Sequence, residues 1–162
     1  IDAIGEMDTI SIWDARYNRY GIATYKKLWS KSYPDSIGLF YSAMTKRVGL
    51  KPLDEEYILM GMVAYGSKTC ADIMRHEVLE STSRIQFLNN FHIGVPDDFM
   101  KYLSDMDIAA CTQAITEDLI LSVMRKAAML GRSKNLVYGG GVALNCVANK
   151  LLGAYFEKIH RL

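Results

Sequence analysis

Two short stretches of this chain carry residues whose types and spacing suit chemistry. Near the back, Gly139-Gly140-Gly141 stands between a short apolar run, Asn135 to Tyr138, and a helical pattern from Ala143 to Phe156. Three residues without side chains let a ligand come close to the backbone, and the start of a following helix offers free N–H groups and partial positive charge. The turn therefore reads as a cradle for an anion or a nucleotide sugar, with Asn145 adding an amide to a ribose or phosphate. A tight turn that lets strand and helix pack closely accounts for the same glycines equally well. There is no Gly-Lys-Ser/Thr of a phosphate-binding loop, and Leu144 stands where a dinucleotide fingerprint has its third glycine.

Near the front, Asp2 is followed by Gly5, Glu6, Asp8 and Thr9, where a strand begins. A carboxylate, a glycine turn and an incoming hydroxyl can hold a divalent metal and the phosphates it bridges. A solvated acidic hairpin gives the same pattern. His76, His92 and His160 are far apart in sequence and read as structural or surface residues. Cys70, Cys111 and Cys146 are odd in number, widely spaced and without a CxxC pair, so they are expected to be reduced thiols, not a disulfide framework or a zinc site. Cys111 falls on the apolar face of its helix, as a buried inert thiol does.

The elements that must position these residues follow from local pattern. Thr9 to Trp13 and Gly21 to Trp29 are rich in β-branched and aromatic residues and flank the turn formers Asn18 and Gly21, which predicts antiparallel strands. Pro34-Asp35-Ser36 precedes Ile37, Phe40, Tyr41 and Met44 at helical spacing, and that helix should end near Gly49. A second start at Pro52 to Glu56 closes at Gly66, and Ser67 to Tyr102 is mixed. From Asp105 to Leu130, apolar residues recur every three or four positions, with Gly131 as the stop. A final strand is entered at Ile159. Strands, then helices, then strand, turn, helix and strand predict an α/β fold with a mixed sheet and flanking helices. Residues 37–102 are long for a connection and suggest a helical insertion packed on one edge.

With 162 residues the chain is long enough for one core. Its 19 basic and 18 acidic residues nearly cancel, which argues against a nucleic-acid surface, and no apolar run approaches the roughly 18 residues of a membrane span. A start at Ile1 without methionine or leader pattern, and an end just inside a strand, suggest a cytoplasmic chain with sequence on both sides.

Four blocks, in order, carry a likeness to a known family: Ile1-Asp2-Ala3-Ile4-Gly5-Glu6, Ser36-Ile37-Gly38-Leu39-Phe40-Tyr41-Ser42-Ala43-Met44-Thr45, Met60-Gly61-Met62-Val63-Ala64-Tyr65-Gly66 and Gly140-Gly141-Val142-Ala143-Leu144-Asn145. Together they resemble the NodU/CmcH family of O-carbamoyltransferases, the first being similar to its Asp-Gly-x-Gly-Glu. The resemblance implies a ribonuclease H-like, actin-like ATPase fold, related to the enzymes that make threonylcarbamoyl adenylate, of which residues 1–162 are mainly the second lobe. It implies that carbamoyl phosphate and ATP give carbamoyl adenylate, from which the carbamoyl group passes to a hydroxyl of a sugar or natural-product acceptor. By the same likeness Asp2 is one ligand of a divalent metal, iron-type with magnesium as the other choice. Gly140, Gly141, Val142 and Asn145 cradle the nucleotide, and Glu56 and Gly61 line the adenosine side.

Two positions depart from the family pattern: Ala3 where glycine is usual, and Gly139 where a larger residue or serine is common. The paired histidines of the metal site are expected before Ile1 and a further aspartate after Leu162, so the isolated chain is expected to bind nucleotide weakly and to catalyse nothing. A lobe separated from its neighbour also exposes apolar surface able to pair with a second copy. A sugar or acetate kinase of the same superfold and a non-catalytic interaction module are the competing readings.

Overall fold

Strand-forming residues on either side of Asn18 close the first hairpin, β1 (Asp8–Tyr17) against β2 (Ala23–Ser32), antiparallel with Asp14 opposite Lys26 and Tyr17 opposite Ala23. Asn18 accepts at its side-chain oxygen from the backbone N–H groups of Tyr20 and Ile22, the self-made turn that Asn favours. A computed structural model describes all residues, Ile1–Leu162. Only the base of the hairpin is buried, at Thr9, Ile10 and Ile12; its far end stands in solvent.

The helix α1 (Ile37–Arg47) begins where Ser36 accepts from the N–H of Leu39 and ends in Gly49 at φ +79°. It is buried on nearly every side and meets α4 (Asp105–Leu130), started by Ser104 and stopped at Gly131. Between them lie α2 (Glu56–Met62), extended by a 3-10 turn at Val63–Tyr65, then α3 (Ala71–Val78) and the short antiparallel pair β3 (Leu79–Ser81) and β4 (Gln86–Phe87). One cluster of 32 buried apolar residues runs through α1, α3 and α4. Phe40, Phe87 and Phe91 meet in it at ring separations of 5.3, 5.4 and 5.6 Å, in the edge-on and tilted arrangements that aromatic quadrupoles favour.

Beyond α4, β5 (Asn135–Tyr138) leads into the glycine turn and pairs in parallel with β6 (Lys158–Arg161). The chain is thus mixed α/β, as expected. Three expectations need correction. The strands form three separate two-stranded sheets, not one mixed sheet, because the local patterns specify each pair but carry no register linking one pair to another. The helix expected from Ala143 to Phe156 is three short pieces: a 3-10 turn at Gly141–Leu144, α5 (Cys146–Asn149) and a 3-10 turn at Leu152–Ala154. Asn145 interrupts it by turning its side chain back to cap Ala148, as this residue does at helix starts. Cys70 and Cys111 are joined as a disulfide, not kept as free thiols, since the close packing of α3 against α4 brings their Cα atoms to 6.2 Å; Cys146 is free and exposed.

Candidate functional site

The front and back of the chain meet. Ile1 lies along the glycine turn: its amino nitrogen donates to the carbonyl of Gly139 at 2.8 Å, and its carbonyl accepts from the N–H of Val142 at 3.3 Å. The contact is so close that a Cβ at Gly140, where φ is +96°, would stand 2.3 Å from the Ile1 carbonyl oxygen. At Gly141 it would stand 3.1 Å from Oδ1 of Asp2. Gly38, in the first turn of α1, is bare for the same reason: its Cβ would meet the backbone of Ala3 at 2.7 Å. Ser36 fastens this corner, its hydroxyl donating to the carbonyl of Ala3 at 2.6 Å while it caps α1.

These contacts form one wall of a cavity of about 360 Å³. Its lining falls into two groups: an inner wall of Asp2, Gly38, Tyr41, Thr116, Gly141 and Asn145, from the front segment, α1, α4 and the glycine turn, and an outer wall of Leu53, Glu56, Tyr57 and Met60, from α2 and the segment before it. Asp2, Asp54 and Glu56 bring carboxylates to the lining, which holds no Lys, Arg or His. Glu56 is fixed by the hydroxyl of Ser42 and the N–H of Leu53, both donating to Oε1 at 2.6 Å.

Behind the inner wall sits a polar network that local pattern did not reveal. Gln113 of α4 is fully buried. Its Oε1 accepts from the Tyr41 hydroxyl at 3.0 Å and from Nδ2 of Asn145 at 2.9 Å; its Nε2 donates to Oδ1 of Asn145 at 3.1 Å and to Glu117 at 3.3 Å. Burial first, and then the nearby Glu56 carboxylate, hold the Tyr41 phenol well above the ordinary tyrosine range, so it stays a proton donor. One turn along α4, Thr116 lines the cavity; the residue is 1% exposed and its buried hydroxyl has no hydrogen-bond partner. The signal for this side of α4 was Gln113 and Thr116, two polar residues three positions apart within the run Ile108–Thr116 that otherwise reads as the helix's apolar face but for Thr112.

Of the residues singled out from sequence, Asp2, Glu56, Gly141, Val142 and Asn145 share the cavity. Gly140 lies just behind it, its space filled by Ile1. Gly61 is on the exposed side of α2, with its neighbour Met60 in the lining instead. Thr9 turns its hydroxyl inward and donates to the carbonyls of Asp35 and Lys31, and Asp8 is held by Lys27 at 2.7 Å and Ser32 at 3.1 Å, so neither side chain joins the Asp2 carboxylate, although the Thr9 carbonyl accepts from the N–H of Asp2 at 2.9 Å. The turn after Gly140 is too short to gather a helix dipole, which removes that part of the argument for anion binding. No group of three His, Cys, Asp or Glu side chains able to hold a metal forms in the chain. Asp2 alone does not make a metal centre.

A family model described as the carbamoyltransferase N-terminus matches residues 1–160. The chain belongs to the carbamoyltransferase N-terminal family. It is also 31% identical over 170 aligned residues to the Synechocystis sp. protein named Uncharacterized protein sll1178, with 92% of this chain and 27% of that protein covered. The chain therefore spans about a quarter of the length of this relative.

Proposed function

We propose that the cavity is the nucleotide side of an O-carbamoyltransferase, and that residues 1–162 are mainly the second lobe of a ribonuclease H-like, actin-like ATPase domain of the NodU/CmcH type. In this reading carbamoyl phosphate, ATP and water give carbamoyl adenylate, phosphate and pyrophosphate. A hydroxyl oxygen of a sugar or natural-product acceptor then attacks the carbamoyl carbon and releases AMP, in the cytoplasm.

The observation that carries the reading is the convergence of Asp2 with Gly141 and Asn145 on one cavity, although they lie at opposite ends of the chain. The character of the lining supports a division of labour. Carboxylates without a cation repel phosphates but accept well from sugar hydroxyls, so this chain receives the uncharged ribose and base. Glu56 has its Oε1 engaged internally and offers Oε2 to a ribose hydroxyl. Tyr57, Met60 and Leu144 give the base an apolar bed. Gly141 keeps the floor free of a side chain, Gly140 leaves room for Ile1 behind it, and Asn145 contributes its amide. Countercharge for the phosphates, and further ligands beside Asp2 for an iron-type or magnesium ion, come in this proposal from outside residues 1–162.

Product analysis of the intact protein with ATP, carbamoyl phosphate and a hydroxyl acceptor tests the reading. AMP and pyrophosphate are expected. Formation of ADP in their place rejects adenylate formation in favour of a phosphoryl-transferring kinase.

A further inference from the structure

The carboxamides of Gln113 and Asn145 face each other in a doubly hydrogen-bonded pair, and both ends of that pair are anchored. At one end Glu117 is an acceptor when ionised, so the group Gln113 turns toward it, 3.3 Å away, is its NH₂. That places Oε1 of Gln113 toward Tyr41 and Asn145. At the other end the backbone N–H of Ala148, 3.0 Å away, requires the oxygen of Asn145. Both anchors select the same orientation. Oδ1 of Asn145 already accepts from Gln113 and Ala148, whereas Nδ2 makes one of the two hydrogen bonds it is capable of.

We infer that Gln113 is a positioning residue which, held by Glu117 and Tyr41, commits Asn145 to meet its ligand as a hydrogen-bond donor, so that the ligand atom at this point of the cavity is an uncharged acceptor such as a ribose oxygen or a ring nitrogen of the base. Gln113 acts wholly through its neighbour, being fully buried and absent from the cavity lining. The inference rests on the proposed nucleotide role of Asn145.

A double-mutant cycle in the intact protein separates the two claims, with ATP affinity measured by calorimetry and pyrophosphate release measured in parallel. Asn145→Ala and Gln113→Leu are each expected to weaken ATP binding about tenfold, the consequence of losing one well-formed hydrogen bond. The double variant is expected to bind no more weakly than either single one. Unchanged ATP affinity in Asn145→Ala overturns the nucleotide role of Asn145 and this inference with it. Loss in Asn145→Ala with none in Gln113→Leu, or losses that multiply in the double variant, overturns the positioning role alone.

Gln113→Glu keeps the test open where the leucine variant does not fold. It retains the acceptor for Tyr41 and Asn145 but, while ionised, loses the donor to both Glu117, itself paired with Lys68, and Oδ1 of Asn145; the free thiol of Cys146 lies near Tyr41. Two adjacent carboxyl groups push one of the pair toward its protonated form, which restores a donor as pH falls. ATP binding by Gln113→Glu is expected to be weak near pH 8 and to recover toward that of the unaltered protein near pH 5.5. A profile parallel to that of the unaltered protein contradicts the role assigned to Gln113.

Discussion

The two walls of the cavity are built differently. On the inner wall, Tyr41 and Thr116 are 7% and 1% exposed, Gln113 behind them is 0% exposed, and the backbone around Ile1, Gly38 and Gly140 is in close contact. On the outer wall, Leu53 is 74% and Tyr57 66% exposed, and the wall rests on the seven residues of α2. A ligand that enters meets polar groups already oriented on one side and side chains with freedom to adjust on the other. Preorganisation is what positioned chemistry needs, and mobility is what entry needs. In the proposed function, specificity belongs to the inner wall and access to the outer.

Gly140→Ala should break this comparison most severely. The new Cβ would overlap the Ile1 carbonyl oxygen at 2.3 Å in a backbone already at φ +96°, so the expected cost is about 3 kcal/mol, read as a lowered midpoint in chemical denaturation. Near-normal stability would show that the front segment is not clamped to the glycine turn. Ser36→Ala comes next. It removes the cap of α1 and the bond to the carbonyl of Ala3, with an expected loss of about 1–2 kcal/mol in the same measurement.

Substitution on the outer wall sharpens the contrast from the other side. Tyr57→Ala should change stability by less than about 0.5 kcal/mol while weakening ATP binding, since its ring is largely in solvent until a base covers it. A large drop in stability would mean that α2 belongs to the rigid part.

The smallest effect concerns how the outer segment is tethered. Asp107 accepts from the N–H of Ser67 at 2.7 Å and from the hydroxyl of Ser104 at 2.8 Å, and the first of these bonds contributes most to holding its carboxyl below the ordinary aspartate range. A depressed carboxylate stabilises the fold above the unfolded value near pH 4 and loses that contribution as pH falls through its folded value. Stability curves of Asp107→Asn and the unaltered protein should therefore converge in acid and separate above about pH 4. Curves a constant distance apart would assign the effect to something other than this carboxylate.

How much of this was legible in the sequence varies along the chain. Helix α4 was, at both ends, because its apolar spacing is long and Gly131 stops it. The strand into the glycine turn was also legible, and the family likeness gave Asp2 and that turn roles at a metal and a nucleotide, which the shared cavity brings side by side. The broken helix after Leu144 was not, because Asn145 fits a helical pattern on paper and acts as a cap in space. Cys70 and Cys111 are 41 residues apart, and nothing local reports that α3 lies on α4. Gln113 escaped for a similar reason: a glutamine in a helix reads as solvent-facing until its partners from α1 and the glycine turn are in place.

The central claim, that a nucleotide base occupies the space between these two walls, is tested most directly by photolabelling. The intact protein would be irradiated with azido-ATP, digested, and its labelled peptides mapped. The account predicts label on residues 53–60 or 141–145, suppressed by unlabelled ATP. Competable label found only elsewhere, for example on the exposed end of the β1–β2 hairpin, would contradict it.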